Sequence, residues 1–501
     1  MTGDPSTMSG VIPGTVHLVD INHSLNARHS GDGDIILNPA PSKDPDDPLN
    51  WTPRRKLLST ICVNLYTWMT GIALSTVYSV LVPLSAQSGV AIKTLNEGSG
   101  YIAYVKSDGE WIARCIIMGF FVAPIEALPE IAVTDLYFTH QRGSYMGLYA
   151  LSLAGSNYFA PIISGFIADG QGWQWVFYWP AIFNAFTFVF LFFFLEETNY
   201  ARSFPEITPG IASVLKGPSP KTPQDLEKAG PRVTSTAQSV VSDTIGTSAK
   251  SFVQKLSIWQ PCPGQSMLIH AKRSLKYLSW PVIFYSGFSY GSYLIWFNVL
   301  NGTSSIILSG PGYNFKPSMV GLSYVSCCIG VALGMLLSGQ FSDRLTVRLA
   351  RRNGGIMEAE HRLWPFVVCL IMVPGSLLLW GVGAANGIHW FGLVFAMGCL
   401  AFTSCVGLTL SVNYMIDSYH DISGDAIVTV ILIRNTMSFA ISYGLTPWLT
   451  NLGYQNCFLS AAFIGMAASA VFLIMIKYGK SLRLRTTEEY WAIVNEEKTK
   501  M

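Results

Sequence analysis

Residues 57–84, LLSTICVNLYTWMTGIALSTVYSVLVPL, run for 28 positions without an acidic or basic side chain, and nine further apolar stretches follow. About 20 apolar residues in helical form span the hydrocarbon core of a bilayer. Inside hydrocarbon each backbone polar group must be satisfied within the segment, so a chain patterned this way is driven to a bundle of spanning helices. Composition agrees: half the residues are hydrophobic and 12% are charged, where a soluble domain carries about 25% charged residues. The expected fold class is an all-α polytopic membrane protein.

Ten spans are read: 57–84, 111–135, 145–168, 175–195, 277–300, 320–341, 363–382, 390–412, 427–449 and 457–476. The Lys/Arg bias of short flanks sets their orientation. Arg54, Arg55 and Lys56 abut the first span, and alternate connections hold Arg142, the cluster Arg344, Arg348, Arg351 and Arg352, and then Lys477, Lys480, Arg483 and Arg485. The opposite loops carry only Lys93, Lys106 and Lys316. Both termini are therefore expected in the cytoplasm. The domain reading is a tail over 1–56, a four-span bundle over 57–196, a cytoplasmic linker over 197–276, a six-span bundle over 277–476 and a second tail over 477–501. The linker, rich in Ser, Thr, Pro and Lys, reads as largely disordered. The polar first 50 residues hold no short apolar segment with a cleavage site, so targeting falls to the first span.

Several functions are disfavoured. A net charge of +2 gives no footprint for nucleic acid. The cysteines (Cys62, Cys115, Cys327, Cys328, Cys369, Cys399, Cys405 and Cys457 among them) sit mostly inside apolar runs without metal-ligand or disulfide spacing, and read as small core residues. No nucleotide-binding Gly-rich loop occurs, so neither an enzyme nor an ATP-driven pump is expected, and no cofactor or metal.

The two halves echo each other. GWQWVF (172–177) and GYQNCF (453–458) lie 281 residues apart, and TDLY and IDSY, ending at Tyr137 and Tyr419, lie 282 apart. Asp135 and Asp417 then cap the cytoplasmic ends of equivalent helices, as in transporters built from parallel repeats. Within the second half the first and fourth spans start 113 residues apart, against 54 in the first half. The shortfall of 59 residues is room for two spans with their connectors at about 20 residues each. Four helices of an original six remain, and the inside/outside alternation survives.

DPDDPLNWTPRRK before the first span, the stretch GFFVAPIEALPEIAVTDLYFTHQRGSYMGLYALSLAGSNYFAPIISGFIADGQGWQWVFYW and then FFFLEETNY resemble fungal major facilitator superfamily transporters, closest to the drug:proton antiporter-like branch. That resemblance covers about residues 45–490. It implies two six-helix bundles around a central cavity that rock between inward-open and outward-open states. Here LNEGSGY and SDGEW, which in such relatives lead into the second and fourth spans, are joined through IAYVK. The basic Gly-Asp-Arg loop is thus missing from the first half and survives in the second as GQFSDRLTVRLARR, with Gly339, Asp343 and Arg344 matching; Asp135, Arg142, Gly143 and Asp417 complete the expected gating set. GSNYFAPIISG resembles a degenerate antiporter motif, with Gly155, Pro161 and Gly165 bending the helix and Asn157 facing the cavity.

Ionisable groups inside spans mark candidate sites because each costs a few kcal/mol to insert. Glu126 and Glu130 share one helical face. Each reads either as a proton- or cation-handling carboxylate or as an inter-helix hydrogen bond. Arg434, seven residues into its span, reads either as partner to a carboxylate or anion or as a snorkelling side chain, and Arg114 as snorkelling. Tyr290 and Asn298 are cavity candidates beside Trp296; Gly330, Gly334 and Ser338 read as a packing stripe. Asn301 in NGT is a glycosylation candidate.

The leading expectation is a monomeric secondary transporter of a small organic molecule, coupled to protons and exporting a drug-like or secondary metabolite. Uptake of an organic cation such as a polyamine is the alternative within the class, and a transport-inactive truncated protein the alternative outside it. The plasma membrane is expected before the vacuolar one. Sequencing the mature transcript across the codons for Tyr101 to Val105 is expected to show additional codons for two spans of about 20 residues each; a transcript matching this chain establishes ten spans.

Overall fold

The computed structural model describes residues 12–20, 29–30, 33–39, 41–42, 44–76, 116–117, 119–198, 267–310 and 312–500. The readings made for 77–115, Arg114 included, and for 199–266 of the linker lie outside the described residues.

The described chain is helical. Its elements are β1 (Thr15–His17), α1 (Pro53–Ser75), α2 (Pro124–Leu136), α3 (Thr139–Gln171), α4 (Trp175–Phe194), α5 (Met267–Lys276), α6 (Pro281–Ser309), α7 (Pro317–Ser323), α8 (Val325–Leu336), α9 (Ser342–Arg352), β2 (Ile356–Glu358), α10 (Phe366–Ala385), α11 (Trp390–Ser418) and α12 (Ser423–Lys500). Helices α7 to α9 run on as one 36-residue span with a π-turn at Leu337–Phe341. Helix α12 is two helices broken at Gly453, whose φ is +69°. Eight helices among the described residues are long and apolar enough to cross a membrane. Helix α6, at 29 residues, has the length as well, and α2 is the described part of the span read at 111–135.

Starts and stops follow local chemistry. Pro53, Pro281 and Pro317 open α1, α6 and α7 at positions where the missing N–H costs nothing. Gly172 (φ +92°) ends α3 and Gly453 breaks α12, a conformation that suits glycine. These two glycines are the first residues of the two repeated hexapeptides, and Asp135 and Asp417 lie at the ends of α2 and α11. The backbone thus repeats the internal echo of the sequence.

Burial grades the helices. In α11, 72% of the apolar window is buried, against 22% in α4, whose Phe186 and Phe188 face outward. So α11 is central and α4 peripheral. Small residues set the closest approaches, as is usual where lipid removes the hydrophobic drive between helices. A Cβ on Gly330 would lie 2.1 Å from the Gly398 carbonyl of α11, and one on Gly321 of α7 2.6 Å from the Pro161 carbonyl of α3. Helix α3 continues through Pro161, and a Cβ on Gly165 would meet the Pro317 carbonyl at 2.7 Å. Gly155 and Gly165 therefore serve as contact points for Trp68 and α7.

Two sequence readings need correction, those of the linker and of Asn301. The last ten residues of the stretch read as linker form α5, docked on α12 through His270 Nδ1 and Asp425 at 2.9 Å and Lys276 and Glu489 at 3.1 Å. The N-terminal flank is folded, with β1 pairing antiparallel to β2. Asn301, read as a glycan acceptor, is 1% exposed inside α6 and accepts from the Tyr324 hydroxyl at 3.0 Å. A glycan there is incompatible with the packing.

Gly330→Leu is expected to lower thermal stability in detergent by about 1–3 kcal/mol or more, because the overpacked α8 and α11 cannot separate freely. Gly375→Ala, where a Cβ meets nothing within 4 Å, is the control and should leave the melting curve unchanged or slightly raised.

Candidate functional site

Two buried polar centres join the first bundle (α1 to α4) to the second (α6 to α12). One closes the end of the molecule that carries the described terminal segments; the other forms part of a cavity wall.

The closing centre forms at the start of α3. Asp417, at the end of α11, accepts from Arg142 of α3 at 3.3 Å and from Nε of Arg362 at 2.6 Å. Arg362 also donates to Asp343 of α9 at 2.6 Å and to the Thr139 carbonyl at 3.0 Å. Asp343 in turn accepts from both the amide and the hydroxyl of Ser144, each at 2.8 Å. Arg142 reaches His420 Nε2 at 3.0 Å. Arg142 and Arg362 are at most 1% exposed, so the alternating charges neutralise one another out of water. We call this centre the latch.

Glycine makes it possible. A Cβ on Gly143 would lie 2.2 Å from Oδ1 of Asp343 and 2.6 Å from Arg362, and one on Gly339 only 3.3 Å from Cα of Ser144. The π-turn at Leu337–Phe341 lies on this contact; such turns concentrate at functional sites. Of the expected gating set, Arg142, Gly143, Gly339, Asp343 and Asp417 meet here. Asp135 lies at the end of α2. Arg344 does not join it: its side chain is exposed, and Arg362 supplies the guanidinium instead. Arg362 was not singled out in the sequence because an arginine beside an apolar run looks the same whether it faces water or its own bundle.

The second centre pairs Glu126 of α2 with Arg434 of α12. Arg434 also donates to the Tyr290 hydroxyl at 2.8 Å and to Oδ1 of Asn435 at 2.6 Å, with its guanidinium 4.7 Å from the Tyr290 ring centre. The approach rests on small residues of α6, since a Cβ on Gly291 would lie 2.7 Å from the Met437 sulfur. One turn beyond Glu126, Glu130 is 1% exposed, with the Tyr149 hydroxyl as the nearby donor. Glu126, Arg434 and Tyr149 are its electrostatic neighbours.

Glu126, Arg434 and Tyr290 line a cavity of about 330 Å³ that also takes in Asn157, Asn298 and Asn435. Asn157 accepts from Ser75 at 2.7 Å. The buried hydroxyls of Tyr158 and Ser438 are also part of the lining. Asn435 was missed in the sequence: an asparagine beside an arginine carries no periodic signal.

The chain matches the Major Facilitator Superfamily profile over residues 98–427, and it belongs to that family: it is a multi-pass membrane transporter of the major facilitator type. It is 27% identical to an uncharacterized MFS-type transporter of Schizosaccharomyces pombe, covering 97% of this chain and 94% of the relative. It is 23% identical to protein HOL1 of Saccharomyces cerevisiae over 97% of each, and 24% identical to a multidrug transporter of Candida glabrata, covering 89% of this chain and 78% of that one. The first alignment runs over 550 positions, more than the 501 residues here, so that relative contains residues with no counterpart in this chain.

Removing one partner from a buried ion pair strands the other, at about 3–5 kcal/mol. Asp417→Asn and Arg362→Gln are each expected to lower thermal stability by that amount, whereas Arg344→Gln should stay within about 0.5 kcal/mol of the parent; thermal unfolding in detergent separates them.

Proposed function

We propose that this chain is a proton-coupled secondary transporter that exports a small, uncharged, amphipathic organic molecule through the cavity between its bundles. The observation that carries this reading is the Glu126–Arg434 pair: among the described residues, the one carboxylate and the one guanidinium lining the cavity are spent on each other. A cationic substrate would have to displace Arg434 from Glu126, and an anion would have to displace Glu126 from Arg434. The rest of the lining mixes apolar side chains such as Leu153, Phe297 and Phe439 with amides and hydroxyls. That mixture suits a molecule with an apolar body and a few hydrogen-bonding groups, in a volume near the lower end of the usual 300–1,000 Å³ for small-molecule sites.

The pair also crosses between bundles, so it must break or re-form when they rock. Tyr290 and Asn435 lie on the Arg434 side and keep its guanidinium solvated by hydrogen bonds when Glu126 withdraws. Glu130, fully buried one turn from Glu126, is the group we assign to carrying the proton, since a charge buried inside a span is expensive. The latch end is taken as cytoplasmic from its arginines and lysines, and both termini with it. The closed latch and formed cavity favour a transport-competent protein over an inactive one. The name of the Candida glabrata relative favours a drug-like substrate, and an efflux pump of Fusarium oxysporum, 22% identical over 87% of this chain, favours export.

Efflux of the neutral dye Nile red and of the cation ethidium, measured from cells expressing the chain, tests the reading. An imposed proton gradient should accelerate Nile red efflux, and Glu130→Gln should remove that acceleration while exchange without a gradient persists. Ethidium moving in place of Nile red would return the cation reading; neither dye moving, at normal surface abundance, would count against transport. Glu126→Gln should also cost stability, about 3–5 kcal/mol for the stranded Arg434, with much of the loss recovered in the Glu126→Gln/Arg434→Gln double variant.

A further inference from the structure

The folded part of the N-terminal flank lies across the latch end and touches both bundles. On the second bundle its seat is extensive. Thr15, Val16 and His17 pair with Glu358, Met357 and Ile356. The amides of Leu18 and Val19 both donate to the Gly355 carbonyl, at 3.0 and 3.1 Å. Leu18 and Val19 form a small apolar cluster with Ala350 and Met357. Arg483, fully buried and paired with Glu360 at 3.0 Å, donates to the Pro13 carbonyl. Gly14 (φ +77°) fits where a Cβ would lie 2.8 Å from the Asp417 carbonyl and 2.9 Å from Arg483.

The segment then folds back, with Ile36 donating to the Leu18 carbonyl at 2.9 Å, and arrives at the first bundle. There the Asn38 carbonyl accepts from the amide of Thr139 at 2.8 Å and from its hydroxyl at 3.0 Å. Thr139 is the residue whose own carbonyl is held by Arg362 of the latch. The flank therefore holds the amide and hydroxyl of the residue whose carbonyl the latch holds.

We infer that the face formed by β2, Gly355 and Arg483 is a docking site for the chain's own N-terminal segment, which straps the bundles together at the latch end and has to leave Thr139 before that end opens. The two joints are unequal. The seat on the second bundle combines strand pairing, a buried arginine and apolar contact. The joint to the first, apart from the chain running on into α1, is the set of three hydrogen bonds between Asn38 and Thr139, the third from the Asn38 side-chain amide to the Thr139 hydroxyl at 3.4 Å. When rigid bundles part, the weaker joint gives way and the segment travels with the second bundle. This inference needs no substrate and stands apart from the transport reading.

Hydrogen–deuterium exchange on the full-length protein in nanodiscs tests it. Gly14→Val unseats the strap from the second bundle but presses on the Asp417 backbone, so deletion of residues 1–39, which removes the strap together with Asn38 and alters no latch residue, is the second variant. With either, peptides over 139–147 and 337–352 should exchange roughly tenfold faster, the size expected from losing these hydrogen bonds, while residues 366–385 of α10 stay at the parental rate. If the strap is gone, shown by free exchange of residues 12–20 in Gly14→Val or by the deletion itself, and the latch peptides keep the parental rate, the inference fails. Equal acceleration in α10 would mean general loosening and would overturn it as well.

Discussion

Asp417 stands between two buried arginines, one from each side of the molecule, and the closed arrangement of the bundles depends on it. Arg142 comes from the start of α3 and Arg362 from the approach to α10. Neither guanidinium has water to solvate it, so the carboxylate is what makes their proximity tolerable. Such a centre contributes little net stability over an apolar contact of equal size. What it contributes is discrimination: the groups are satisfied only when α3 and the second bundle are in register, and a partial separation leaves charge stranded. That all-or-none character suits a joint between bodies that must be either closed or open.

The cavity follows the same logic with one pair instead of a network. Arg434 keeps two partners on its own bundle, Tyr290 and Asn435, and one across the gap, Glu126. Separation therefore exposes a carboxylate rather than a bare guanidinium. Glu130 lies one turn further toward the latch, beyond that pair.

Much of this was legible in the sequence because insertion into hydrocarbon makes charges conspicuous. Glu126, Glu130 and Arg434 were visible as ionisable groups inside apolar runs, and Asp417 through its echo at Asp135. Their contacts were not legible, since Glu126 and Arg434 are 308 residues apart and periodicity within a helix says nothing of what faces it. Arg362, Glu360 and Arg483 escaped because they lie where spans meet their flanks, the place where charged residues are expected anyway. Asn301 misled for a related reason: a tripeptide pattern reports residue types, and burial decides whether they can be reached. The order of the N-terminal flank comes from partners in the second bundle that local pattern cannot anticipate.

The contact between Arg483 and the Pro13 carbonyl spans 470 positions of the chain, and this has a consequence for biogenesis. A ribosome releases the first residues long before the last helix exists, so the N-terminal segment waits, unseated, through almost the whole of synthesis. Only when α12 has been inserted and its far end has emerged does Arg483 meet Glu360 and complete the seat. A polypeptide halted before β2 carries that segment with its strand edge unpaired, and one halted between β2 and Arg483 lacks the buried arginine that holds Pro13. The seated strap is thus a record that translation and insertion ran to the end.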